Sequence, residues 1–420
     1  MSLLIEQVRL NGEKKDILIK EDRIQRIGDR IEEPADIVIS GRDKIAIPSF
    51  INGHTHAAMT LLRGYADDMP LKEWLETKIW PVEAHLTEED VYWGVKLACL
   101  EMIKTGTTFF NDMYWHWRGT ARAVQEMGIR AAVSAVFIDT FREDKMREQF
   151  SLNEKLFQES RAFGPRVIFT LGPHAIYTVS EAALRWCGDF AKEKGVLIHF
   201  HLSESREEVE GCLKQHGVRP VKYLERLGFL GPHLIACHCI WLDAEEMDLL
   251  KAYEVKLVHN PVSNMKLAVE GVFPYRELRE RGLTICLGTD GCASNNNLDM
   301  LETAKFASLL QKFHTQSPVA QKAHETMEML SLQGGRAFRL DCGLIAEGKW
   351  ADIALVDLNH PQMVPHFHTD SDLVYSANGS VIDTVICDGK ILMQDRKVEG
   401  EEEIVAKARE VAFDLIRRAP

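Results

Sequence analysis

From about residue 44 to residue 291 the chain alternates short apolar, β-branched runs with amphipathic stretches whose apolar positions recur at helical spacing. That alternation is the pattern of parallel strands joined by crossover helices. Eight runs stand out, at residues 45–50, 107–111, 131–138, 167–171, 196–200, 234–239, 255–258 and 284–287. Each is followed by a segment long enough for a helix, and no Gly-x-Gly-x-x-Gly fingerprint follows the first. The pattern therefore predicts a closed (β/α)8 barrel of the TIM type rather than an open doubly wound sheet.

The two ends read differently. Residues 1 to about 43 show two-residue alternation, as in Asp16-Ile17-Leu18-Ile19, and a turn at Gly28-Asp29; residues 351–356 and 385–390 give similar strands. Both ends are expected to meet in one small composite β-sandwich, made of residues 1–48 and 346–420, beside a barrel of residues 49–345. Residues 401–418 carry apolar positions at Ile404, Ala408, Val411 and Leu415, which predicts an amphipathic C-terminal helix.

Composition narrows the function classes. At 420 residues the chain exceeds what one core usually supports, which fits a large domain with a small companion. No apolar run approaches the roughly 18 residues that a membrane span needs. The start, Met1-Ser2-Leu3, leads into an alternating strand pattern without the basic and apolar regions of a signal peptide, so a cytoplasmic protein is expected. Nine cysteines lack any repeated Cys-x-x-Cys spacing, which argues against a disulfide framework or a zinc finger; Cys237 and Cys239 read as core residues. A net charge of −13 disfavours nucleic acid and leaves a small neutral or cationic molecule as the expected partner.

The chemistry concentrates at strand ends, where barrel active sites are built. His54-Thr55-His56 follows the first apolar run, and on a strand residues two apart share a face, so both imidazoles can reach one metal ion. The fifth run leads into His199-Phe200-His201-Leu202-Ser203-Glu204, the sixth into His238, and the eighth into Gly288-Thr289-Asp290-Gly291. Taken singly, a histidine or carboxylate at a strand end is ordinary polar decoration or a helix cap. Histidines at three strand ends and an aspartate at a fourth form an open catalytic metal site if they converge.

These motifs resemble those of the amidohydrolase superfamily. Further stretches are similar to the branch of 5-methylthioadenosine/S-adenosylhomocysteine deaminases and 5′-deoxyadenosine deaminases: residues 62–68 (Leu-Arg-Gly-Tyr-Ala-Asp-Asp), 80–84 (Trp-Pro-Val-Glu-Ala), 172–175 (Gly-Pro-His-Ala), 259–264 (His-Asn-Pro-Val-Ser-Asn) and 291–296 (Gly-Cys-Ala-Ser-Asn-Asn). The resemblance spans essentially the whole chain. It implies one divalent metal, usually zinc with Fe2+ or Mn2+ as alternatives, held by His54, His56, His201 and Asp290. No lysine occurs in the fourth run to bridge a second metal, and His199 reads as a structural neighbour of His201.

The implied reaction is hydrolytic deamination of an adenine nucleoside. A divalent cation lowers the pKa of water from about 15.7 toward 7. Asp290 is expected to accept the water proton, Glu204 to protonate the ring nitrogen, and His238 to orient the nucleophile and stabilise developing charge. By the same resemblance Glu83 accepts ribose hydroxyls, His174 contacts the nucleoside, Trp74 supplies an apolar wall and Ser294 lies near the substrate. Arg142 and Arg147 read as a solvated helix face. Competing readings are an aminohydrolase of guanine, cytosine or triazine type, and a non-catalytic scaffold of the same fold; homo-oligomers are common among such barrels.

Overall fold

Period-two alternation at the termini and continuous apolar runs between them produce two separate sheets. The computed structural model describes residues 1–419. Strands β1 (Ser2–Leu10), β2 (Glu13–Lys20), β3 (Arg23–Gly28), β4 (Ile37–Ser40) and β5 (Lys44–Pro48) open the chain. The barrel follows as β6 (Phe50–Thr55), β7 (Thr107–Tyr114), β8 (Arg130–Phe137), β9 (Val167–Pro173), β10 (Leu197–Leu202), β11 (Leu234–His238), β12 (Lys256–His259) and β13 (Ile285–Leu287). Strands β14 (Ile353–Asp357), β15 (Ile382–Cys387) and β16 (Lys390–Met393) then return to the first sheet.

That first sheet runs β16-β15-β14-β5-β1-β2-β3, with β4 beside β1, and so draws on both ends of the chain. It curls over its own inner face: Ile24 of β3 and Ile386 of β15, near opposite ends of the strand order, share one core with Leu3, Ile17 and Leu355. In the second sheet β6 to β13 neighbour each other in sequence order, all parallel. Every residue of β7 and β8 is buried, as expected when helices cover the outside and side chains fill the inside.

Closure joins the first and last barrel strands at their C-terminal ends. The Asp290 N–H donates to the His54 carbonyl at 2.9 Å, while the Asn52 side chain accepts from the Thr289 N–H at 3.0 Å and donates to its hydroxyl at 2.7 Å. The bonds that shut the barrel thus also set His54 beside Asp290.

Crossover helices start where a side chain can cap their free N–H groups. Thr87 with Asp90 caps Glu88–Lys104, Ser180 caps Glu181–Lys194, Ser205 caps Arg206–His216 and Asp243 with Glu246 caps Ala244–Ala252. Gly128 and Gly195 end two of them at φ +74° and +71°, a conformation that a Cβ disfavours. The C-terminal helix Glu401–Arg418 buries Ile404, Ala408 and Leu415, with Val411 half-buried. It lies along Glu88–Lys104, tied by Lys104–Glu401 at 2.7 Å and Arg418–Asp90 at 2.8 Å. No helix among the described residues is long and apolar enough to cross a membrane.

One predicted strand divides in two. The apolar run 45–50 supplies β5 to the small sheet and only its last residue to β6. The chain changes sheets at Ser49, whose N–H bonds the Asp352 carbonyl and whose hydroxyl bonds that of Thr108. Both sheets bury this stretch, so no change of composition marks the crossing.

At the opposite end of the barrel from the strand-end motifs, Arg130 joins the two sheets. Its guanidinium is almost fully buried, 2.6 Å from Asp388 and 3.5 Å from Asp352, and lies 4.2 Å from the Trp350 ring. Removing one partner of a buried ion pair strands the other charge. Arg130→Met is therefore expected to lower unfolding stability by about 3 kcal/mol, read from the midpoint of a denaturant titration.

Candidate active site

Four barrel strands deliver polar side chains to the same end. His54 occupies the penultimate position of β6 and His56 the residue just beyond it; His201 lies in β10, His238 ends β11, and Asp290 follows β13. The backbone turns sharply there: Ser203, His238, Cys239 and Asp290 all have positive φ, between 50° and 72°. For residues other than glycine that conformation is sparsely populated, and at strand ends it re-aims side chains.

The donor atoms converge. His54 Nε2 lies 3.2 Å and His56 Nε2 3.3 Å from Asp290 Oδ1, and His201 Nε2 lies 3.3 Å from His56 Nε2. Four ligands about 2.0–2.1 Å from a tetrahedral ion sit about 3.3 Å from one another, so these spacings suit a cation of zinc size. Each of these candidate donors is oriented from behind. His56 Nδ1 meets the Met113 carbonyl at 2.6 Å, and His201 Nδ1 meets that of His174 at 3.0 Å. Asp290 Oδ2 accepts from Ser263 at 2.6 Å and Ser294 at 3.3 Å, leaving Oδ1 toward the histidines. Such outer contacts tune a metal site as much as the ligands do.

Electrostatics agree with a cation-binding floor. Burial holds His54 below and His201 well below the ordinary imidazole range, keeping their lone pairs available. Burial lifts the Asp290 carboxyl, but His54, His56 and His238 outweigh it and hold it well below the usual range. The donor groupings at this point, His54 with half-buried His56 and His201, and His54 with His238 and Asp290, could hold a metal ion.

Above the floor opens a largely apolar cleft. His56, Trp74, Glu83, His174, His201, Glu204, His238, Asp290 and Ser294 line it, and His54 is fully buried. Glu204 is buried, and loss of solvent, with the charges of Asp290 and Glu208, raises its carboxyl well above the ordinary range. Its Oε1 lies 3.4 Å from His238 Nδ1, which also receives the Asn264 amide at 2.9 Å. That amide donor places the His238 hydrogen on Nε2, which is buried without a partner. Burial brings His238 and His174 down to about 3, so both are neutral imidazoles.

At the cleft's other side Glu83 Oε2 accepts the Trp115 indole N–H at 3.1 Å, while Oε1 is buried and unpaired; burial raises this carboxyl. Trp74 is both wall and core, with its N–H on the Ala66 carbonyl at 3.0 Å and 5% exposure. Ser294 lines the cleft but turns its hydroxyl to Asp290 and the Gly291 carbonyl. Arg142 and Arg147 lie outside the cleft, paired with Asp144 and Glu143 on the surface.

Sequence reasoning missed several supporting residues. Ser263, Asn260 and Asn264 lie in the 259–264 motif and act on Asp290 and His238, a role that only the fold reveals. Tyr177, Trp80 and Leu71 complete the apolar wall from segments without strand character. Glu208, one helical turn beyond Glu204, accepts the N–H groups of Ser203 and Glu204, both at 2.9 Å, and so fixes the strained turn that aims Glu204.

A family model described as "Amidohydrolase family" matches residues 45–392. The chain is 50% identical over 386 residues, 92% of its length and 86% of the relative's, to a 5′-deoxyadenosine deaminase of Methanospirillum hungatei. It is 47% identical over 400 residues, 94% of both chains, to 5-methylthioadenosine/S-adenosylhomocysteine deaminase 1 of Archaeoglobus fulgidus. Among solved structures, an adenosine deaminase from Xanthomonas campestris with bound zinc superposes with a TM-score of 0.93 at 33% identity, covering 99% of this chain and 98% of that one.

The Glu208 clamp makes a direct prediction. In Glu208→Gln one acceptor oxygen becomes a donor facing a buried N–H, which should cost about 2 kcal/mol of stability by thermal or urea unfolding at pH 8. An unchanged midpoint would show that the two bonds contribute nothing.

Proposed function

This chain belongs to the amidohydrolase family, and from that premise we propose that it is a metal-dependent aminohydrolase converting adenine nucleosides to their inosine analogues with release of ammonia. The substrates are adenosine, 5′-deoxyadenosine, 5-methylthioadenosine and S-adenosylhomocysteine. Relatives at 42–50% identity carrying 5′-deoxyadenosine and 5-methylthioadenosine/S-adenosylhomocysteine deaminase names support this reading. The observation that carries it is the set of donor spacings near 3.3 Å on the floor of a cleft that holds a buried, raised-pKa carboxyl on one side and an unpaired carboxylate oxygen on the other.

His54, His56, His201 and Asp290 are the residues that would hold the ion, for which zinc suits three imidazoles and one carboxylate. When bound, a divalent ion supplies Lewis acidity that makes water nucleophilic near neutral pH. Asp290, kept ionised by its imidazole neighbours, accepts a proton from that water. Glu204, kept protonated by burial, delivers its proton to the purine ring nitrogen as the C6–O bond forms. His238 presents its Nε2 hydrogen to the nucleophile and to the charge that develops at C6. Asp290 then passes the water proton to the exocyclic nitrogen, the C–N bond breaks and ammonia leaves, and the C6 hydroxyl returns a proton to Glu204, leaving a carbonyl at C6. Glu83 Oε1 accepts ribose hydroxyls, His174 faces the nucleoside, and Trp74 excludes water. The nine free, buried cysteines suit a reducing cytoplasm.

Three outcomes are expected from these roles. Ammonia release by zinc-loaded protein is expected with the four adenosine derivatives and not with guanine, cytosine or triazines; turnover of free bases or triazines alone would reject the substrate assignment. Because Glu204 acts protonated, kcat/KM should fall as pH rises through its elevated pKa. Glu204→Gln should reduce kcat by about 10²–10⁴-fold with metal content unchanged. Full activity in that variant would assign the ring proton elsewhere.

A further inference from the structure

His199 lies on β10 one step below His201 and has no place in the chemistry described so far. Its Nε2 is 2.6 Å from His54 Nδ1, with the two rings nearly perpendicular, at 85°. Both side chains are fully buried, so no water can substitute for either partner. A separation of 2.6 Å is too short for two nitrogens sharing a cation, which sit about 3.3 Å apart in a tetrahedral site with bonds near 2.0–2.1 Å. It is the distance of a strong hydrogen bond, and one hydrogen can occupy it. One ring therefore donates and the other accepts.

The alternatives differ at the far side of the His54 ring. If His199 donates, His54 Nδ1 accepts and the neutral His54 ring carries its hydrogen on Nε2, the atom 3.2 Å from Asp290 and nearest the metal-binding floor. If His54 donates from Nδ1, Nε2 is left with a bare lone pair. His56 and His201 solve the same problem with backbone carbonyls, which can only accept. His54 has no carbonyl at Nδ1; it has His199.

We propose that His199 is a positioning residue whose Nε2 accepts the His54 Nδ1 hydrogen and so holds His54 in the tautomer that presents Nε2 to a divalent cation. The inference rests on the metal reading given above, and it assigns to a residue that never touches the ion a share of the affinity for it. Partners of this kind typically contribute about 10–100-fold to metal binding.

The test measures zinc dissociation constants by competition with a chromophoric chelator on full-length wild type, His199→Met and His199→Gln. Methionine fills the space without an acceptor, whereas glutamine can set its Oε1 where Nε2 stands. His199→Met is expected to bind zinc about 10–100-fold more weakly while His199→Gln stays within about threefold of wild type. Equal affinity in all three, or a glutamine variant as weak as the methionine one, would overturn the proposal. A wild type that binds no divalent ion would instead reject the metal reading itself. Should the methionine variant not fold, 15N-histidine spectra of zinc-loaded wild type give the same decision. Hydrogen on His54 Nδ1 with a bare His199 Nε2 supports the assignment, and hydrogen on His199 Nε2 refutes it.

Discussion

Three imidazoles and a carboxylate are linked by donor contacts of 3.2–3.3 Å, from His54 to Asp290 to His56 to His201, at one end of the barrel, and most of the surrounding structure serves that crowding. Buried imidazoles held neutral, as His54 and His201 are, have lone pairs without hydrogens to meet them, an arrangement that is unfavourable unless a cation occupies the gap. The barrel imposes it because closure is made by the same residues: the N–H of Asp290 binds the carbonyl of His54, so the sheet cannot shut without bringing two of the four donors together. Fold and site are coupled through the hydrogen bonds that close the barrel.

The chain concentrates its strain and its stability at opposite ends of the barrel. At the C-terminal end Ser203, His238, Cys239 and Asp290 sit in left-handed conformations, held by contacts such as the Glu208 carboxylate on two backbone N–H groups. At the N-terminal end Arg130 locks the barrel to the small sheet through Asp388, Asp352 and Trp350. That division is the general one for such barrels, where variable loops at one face carry chemistry and the other face carries stability.

Much of this was legible in the sequence because strand-end motifs carry both pattern and chemistry. His54 and His56 announce themselves by their spacing after an apolar run, and His201, His238 and Asp290 by falling at equivalent places in later runs. The same logic found all eight strands but misjudged the first, since run 45–50 serves two sheets that demand the same apolar character. What the sequence hid are contacts between segments with no shared periodicity. Glu208 lies on a helix where a glutamate looks like exposed charge, yet it is buried. Trp80 and Leu71 come from an irregular helical stretch, residues 71–83, in the connection between β6 and β7, which no strand or crossover-helix pattern marks, and Ser263 reaches Asp290 only because β12 and β13 are neighbours. His199 was visible as a histidine on the right strand, but whether it ligates or supports is a question of distance.

The central claim is that four named atoms share one cation. Anomalous diffraction from crystals grown with zinc tests it most directly. The account predicts a single peak per chain, about 2.0–2.2 Å from His54 Nε2, His56 Nε2, His201 Nε2 and Asp290 Oδ1. A peak that omits any of these atoms, or zinc-soaked crystals with no peak at the barrel mouth, would contradict it.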